Sequence, residues 1–201
     1  MADDHRDAAP DHPATGLLAR LRGSAPADEV LSRHDCHLDR AEYADAVPLE
    51  LVSGEPLVGL ATTSAGESFQ LCGGDERRPV LYYDDADSVL VLGRDLAEAV
   101  ELLIGVPYLL DIMHTLAGRG PAAATAEHEE LAAQGIAADE ARSRERTHHR
   151  LAAELGLRAM PVADLLHRLH GTAEELAPGL EVLWVDGGES NPIPHAVAPQ
   201  A

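Results

Sequence analysis

Val80-Leu81-Tyr82-Tyr83-Asp84-Asp85-Ala86-Asp87-Ser88-Val89-Leu90-Val91-Leu92 is the stretch whose reading decides the fold class of this chain. Two runs of β-branched, aromatic and aliphatic residues flank a short segment dominated by aspartate. Such runs suit a pleated, packed surface, and Asp favours turns. The segment therefore reads as two antiparallel strands joined by a hairpin with an acidic tip.

Upstream the same pattern continues. Val58 and Leu60 alternate, Thr62-Thr63-Ser64-Ala65-Gly66 turns the chain, Phe69 and Leu71 share a face, and Gly73-Gly74-Asp75 turns it again. Leu49 and Leu51 alternate as a strand would, inside a stretch, 35–55, without a clear period. Thr15 is placed to cap a short helix carrying Leu17, Leu18 and Leu21 and closed by Gly23. A second short helix is expected from Asp28 to about His34. Residues 1–13, polar with two prolines, are expected to be disordered.

Downstream the period becomes helical. Asp95 with Glu98 three residues on forms a capping box, and Leu96, Val100 and Leu103 make a stripe that can lie on the sheet. Pro107 interrupts this helix, and Tyr108, Leu109, Ile112 and Met113 continue as a second short one. Helical residues dominate from Ala122 to Leu157, with 140–150 polar nearly all round and so a solvated face. Pro161 opens an amphipathic helix with Val162, Leu165, Leu166 and Leu169, expected to stop at Gly171. Leu180 to Val185 reads as a last strand. The fold expected is α+β: a mostly antiparallel sheet packed against helices, with a helical C-terminal extension at about 122–171. One domain would span 14–186, and 187–201 would form a loose tail.

Charge sets the class of partner. The chain carries 35 acidic residues against 15 basic ones, a formal net charge of -20, and no lysine. Arginine in place of lysine, with abundant Ala, Gly and Pro, is the mark of a GC-rich genome. A field of this sign repels nucleic-acid phosphates and anionic membranes and attracts cationic partners. Tyr43, Phe69, Tyr82, Tyr83, Tyr108 and Trp184 are the only aromatics, few platforms for stacking bases. The expected partner is a protein with a basic surface, not nucleic acid or membrane.

Cys36 and Cys72, the only cysteines, point to a reducing compartment without a disulfide framework. Residues 1–16 lack the charged-then-apolar layout of a secretory leader. The longest apolar stretch, near 102–110, is broken by Gly105 and Pro107 and is too short for a bilayer span, so the expected location is the cytoplasm.

Eleven histidines invite a search for metal ligands. His34 and His37 are three apart around Cys36, as are His167 and His170, a spacing that can put each pair on one helical face; His148 and His149 are adjacent. Neither pair has the glutamate of a His-Glu-x-x-His motif, so both read as surface features, with no metal or cofactor expected. Ser64 and Ser68 flank Gly66 without forming a Gly-x-Ser-x-Gly elbow. Cys72, in an alternating strand, reads as buried or at a strand end before it reads as a nucleophile. Phosphate-loop and dinucleotide fingerprints are absent, and no catalytic residue is assigned. The hairpin tip lacks the spaced ligands and closing glutamate of a calcium loop. Its three charges instead crowd beside an aromatic, so Tyr83, Asp84, Asp85 and Asp87 are the expected contact for an arginine-rich protein surface.

Five segments, taken in order, carry a family resemblance: Val58-Gly59-Leu60-Ala61, Gly66-Glu67-Ser68-Phe69-Gln70-Leu71, Arg78-Pro79-Val80-Leu81-Tyr82-Tyr83, Asp95-Leu96-Ala97-Glu98 and Leu102-Leu103-Ile104-Gly105-Val106-Pro107-Tyr108. From Leu57 to about Ile112 the chain resembles the core of the SMI1/KNR4 superfamily, also called SUKH, in the layout of uncharacterised actinobacterial members. Three features depart from the pattern. No Leu-Pro followed by Asn-Gly precedes Leu57, Glu67 stands where Asp or Gly is common, and 122–171 has no counterpart in the minimal family. The resemblance implies an α+β domain with no catalytic residues to carry over. Many bacterial members are similar to immunity proteins that neutralise toxins such as nucleases or deaminases; others are regulatory or scaffolding proteins. The expected function is a non-enzymatic protein-binding module, an immunity protein against a cationic toxin domain. A regulatory or scaffolding protein is the alternative, and a metal-assisted enzyme built on the histidine pairs comes third.

Overall fold

β4 (Val80–Tyr83) pairs antiparallel with β5 (Val89–Gly93), with Tyr82 opposite Leu90, as the two apolar runs require. The computed structural model describes residues 16–84, 88–135 and 138–197, with side chains over the same residues except 138–142. β2 (Leu57–Thr62) and β3 (Ser68–Cys72) complete an antiparallel meander in the order β2-β3-β4-β5. Every residue of β3, β4 and β5 is buried. Strands covered on both faces read as continuous apolar runs, not as alternation, and Val80–Tyr83 and Val89–Leu92 are such runs.

Helices cover this sheet. α4 (Leu96–Gly105) and α8 (Val162–Leu176) pack against β5, while α3 (Ala41–Asp45) lies across β2 and β3. Glycine makes that last approach possible: a Cβ at Gly59 would lie 2.3 Å from the Ala41 carbonyl oxygen. The Gly59 N–H instead donates to the Asp45 carboxylate at 2.5 Å. Leu96, Val100 and Leu103 are all buried, so the expected stripe faces the core. Asp95 accepts from the Glu98 N–H at 2.8 Å, and the Glu98 carboxylate reaches back to the Arg94 N–H at 3.0 Å. After Pro107, Tyr108 takes the left-handed conformation (φ 66°) and opens α5 (Leu109–Arg119). α6 (Pro121–Gly135) and α7 (Ala138–Glu154) follow, the helical extension that the sequence implies.

At the N-terminal end, α1 (Leu17–Arg22) starts at Gly16, which offers no side-chain cap; Thr15 lies outside the described residues. The cap comes from far along the chain: the Glu76 carboxylate accepts from the Leu17 and Leu18 N–H groups at 2.8 and 2.9 Å. α2 (Ala25–Arg33) begins ahead of the expected Asp28, because Ser24 accepts from the Ala27 N–H.

Two boundaries differ from the sequence expectation at the C-terminal end. Gly171 does not stop α8, which runs to Leu176. An exposed helical glycine costs only about 1 kcal/mol relative to alanine, and continuing buries Thr172 and Ala173. Nor are residues from 187 onward a loose tail: Gly187 and Gly188, both at positive φ, turn β6 (Val182–Asp186) into β7 (Glu189–Ile193). A Gly-Gly pair between strands is a tight-hairpin signal that composition hides behind the polar Glu-Ser-Asn-Pro run. These strands join β1 (Leu49–Leu51) in a second antiparallel sheet, order β1-β6-β7, not foreseen from the sequence. The chain then returns to the first sheet, where the Val89 N–H donates to Pro194 and the Ala196 N–H to Val89. Residues 1–13, expected to be disordered, and 198–201 lie outside the described residues.

The fold is α+β, and one buried apolar cluster draws on both sheets and on the helices, from Leu17 to Val197. Among the described residues, no helix is long and apolar enough to cross a membrane.

Candidate functional site

The hairpin tip divides on inspection. Tyr83 is only 8% exposed, its ring lying 5.7 Å from that of Trp184 in the second sheet. It is a core residue, not the exposed anchor that its place beside three aspartates suggests. Asp84 is half-buried and holds the turn, accepting from the Ser88 N–H at 2.9 Å and from its hydroxyl at 2.7 Å. Asp85 and Asp87 lie outside the described residues.

Exposed large apolar side chains occur elsewhere. Among the described residues these are Tyr43 at 63%, Val52 at 53% and Val58 at 41%. Tyr43 stands on α3 among exposed Asp39, Glu42 and Asp45, with Glu50 further along. Only Arg40 is basic between residues 39 and 58. An aromatic exposed among carboxylates suits an arginine-bearing surface. Sequence reasoning passed over it because α3 is too short to show a period.

The histidines sort differently from their spacing. α2 ends at Arg33 and Asp35 is left-handed (φ 56°), so His34 and His37 do not share a helical face. His37 bonds the Asp35 carboxylate at 3.0 Å; His34 Nδ1 donates to the Leu103 carbonyl at 2.6 Å. His167 and His170 do share α8, but the first bonds the Ala163 carbonyl and the second faces Glu174. The fold instead brings His34 against His148 of α7, ring centroids 5.6 Å apart and perpendicular. Burial lowers both below the ordinary 6.5, and nearby cations add to the effect; His148 falls to about 4. No group of three or more His, Cys, Asp or Glu placed to hold a metal ion occurs among the described residues. Cys36 and Cys72 are buried, and burial pushes each thiol up to about 12, which removes the thiolate that nucleophilic chemistry needs.

Beside His148 lies a cavity of about 410 Å³, walled by α4, α6, α7 and the segment leading into α8. Ile104, Ala132, Ala152, Met160 and Val162 give it an apolar surface. Gly105 fixes one wall, since a Cβ there would lie 2.4 Å from Leu165 Cδ1. Glu101 is buried at its edge, accepting from the Arg158 N–H at 2.9 Å, from Arg158 Nε at 3.3 Å and from Arg168 at 2.5 Å. Burial alone would raise this carboxyl, but the bonds from Arg168 and Arg158 overcome it and hold it below 4.5. His128, 8% exposed, also lines the cavity, and its buried Nε2 has no hydrogen-bond partner. Burial lowers the His128 ring below its ordinary 6.5, against the nearby Glu129 and the Pro107 backbone, which raise it. Tyr108 packs edge-on to that ring.

No protein-family model, curated protein or solved structure matches this chain.

Proposed function

We propose that this protein acts in the cytoplasm by non-covalent recognition of a protein with a basic surface, in the manner of an immunity protein that occludes a cationic toxin domain such as a nuclease. The observation that carries the reading is Tyr43, an aromatic 63% exposed on α3 among Asp39, Glu42 and Asp45. Burying one such ring against an arginine supplies the anchor of an interface, and the charge of -20 supplies the attraction that orients the encounter. The order of SMI1/KNR4-like segments between Leu57 and Ile112 supports the same reading, since that family's bacterial members include immunity proteins.

The test is capture from the native host followed by surface plasmon resonance on the recovered partner. Tyr43→Ala is expected to weaken binding at least tenfold, about 1.4 kcal/mol, through faster dissociation. Raising salt should slow association, because attraction beyond about 8 Å is screened at physiological ionic strength. A partner that is a scaffold or regulator of the host itself would support the alternative function through the same surface. Binding indifferent to Tyr43 and to salt would overturn the proposal.

A further inference from the structure

We infer that the cavity beside α7 is a binding site for a small amphipathic carboxylate, an acid group on an apolar body of roughly ten carbons. Its size falls within the range of about 300–1,000 Å³ typical of ligand sites. Ile104, Ala132, Ala152, Met160 and Val162 form the walls, the environment that favours a hydrocarbon body over water.

The acid end is chosen by Arg158. Glu101 holds this residue at two points, the backbone N–H and Nε, which fixes the guanidinium at the cavity edge. The terminal nitrogens carry no bond to the described residues, and the side chain is 69% exposed. A guanidinium fixed through Nε and open at its two terminal nitrogens presents the fork that a carboxylate fits. The other carboxylate facing inward, Glu101, is neutralised by Arg158 and Arg168; Glu145, also at the wall, is exposed to water. Arg144 borders both this cavity and a smaller neighbouring one of about 220 Å³, which places a second guanidinium-bearing residue along the opening.

Calorimetric titration of the full chain with decanoate, and with decanol as the neutral isostere, tests the inference. Decanoate is expected to bind below 1 mM and at least tenfold more tightly than decanol, an advantage of about 1.4 kcal/mol attributable to the acid group. Arg158→Gln should abolish that preference while leaving decanol binding unchanged, and Arg158→Lys should restore part of it. Ala132→Phe, which fills the cavity from a partly exposed position, should weaken both ligands. Circular dichroism melts confirm that each variant is folded before titration. No binding of decanoate at 1 mM, equal affinity for acid and alcohol, or binding untouched by both Arg158→Gln and Ala132→Phe would each overturn the assignment.

Discussion

Arg168 of α8 donates to the carboxylate of Glu101 on α4 at 2.5 Å, and the two side chains are only 16% and 5% exposed. The same guanidinium donates to the Glu98 carbonyl at 3.1 Å, so one arginine joins two helices through a charge and a backbone group. Such a pair is costly to break. Replacing one member leaves the other desolvated without its counter-charge, a loss of about 3–5 kcal/mol. Glu101→Gln is therefore expected to lower the urea midpoint by about 1 M or more, and an unchanged midpoint would mean that water already solvates Arg168.

Leu103 completes the buried stripe of α4 with Leu96 and Val100. Leu103→Ala removes side-chain carbons from a site 3% exposed and should cost about 2–5 kcal/mol, more if the void does not collapse. Chemical denaturation measures it. A variant as stable as the parent would place the stripe in solvent.

That stripe was legible from its spacing alone, as were the meander and the Asp95 cap, because each is written in residues close together along the chain. Partners distant in sequence left no such trace. Glu76 gives no sign that it will bind Leu17, and His34 none that it will meet His148 rather than His37. Tyr83 misled for a related reason: sequence shows the aspartates beside it but not the second sheet, whose Trp184 covers its ring. The cavity was equally invisible, since its walls come from four separated segments and its polar groups, Glu101, His128 and Arg158, belong to no motif.

Acid should weaken the fold in two stages. His34 and His148 are held below 6.5 in the folded state, largely by burial, so the unfolded chain takes up their protons first. Stability therefore declines as pH falls below 6.5, and the contribution of His148 stops growing near pH 4, where it protonates in the folded protein as well. Glu101 behaves as a depressed carboxyl: its stabilisation is full above 4.5 and is lost as pH falls further, through its lowered folded value. Melting temperature against pH should show both stages, and His148→Gln should flatten the first without altering the second. A profile level from pH 6.5 to 4 would contradict the burial of the histidine pair.

Glu76 ties together three parts of the chain. Its carboxylate takes the first two amides of α1, Leu17 and Leu18, and its carbonyl accepts from the Leu96 N–H at 2.8 Å, at the start of α4. Gly16, the residue at the cap position, has no side chain to serve those amides, so α1 has this carboxylate in place of a local cap. Loss of a side-chain cap typically costs about 1 kcal/mol, and negative charge at a helix N-terminus adds a few tenths. Glu76→Ala should therefore destabilise the protein by about 1–2 kcal/mol, with Glu76→Gln intermediate because an amide oxygen still accepts one bond but carries no charge. Hydrogen exchange provides the local test: the Leu17 and Leu18 amides should lose protection in Glu76→Ala while those of β3 and β4 keep it. Equal protection in all three proteins would show that α1 is held by the burial of Leu17 and Leu21 alone.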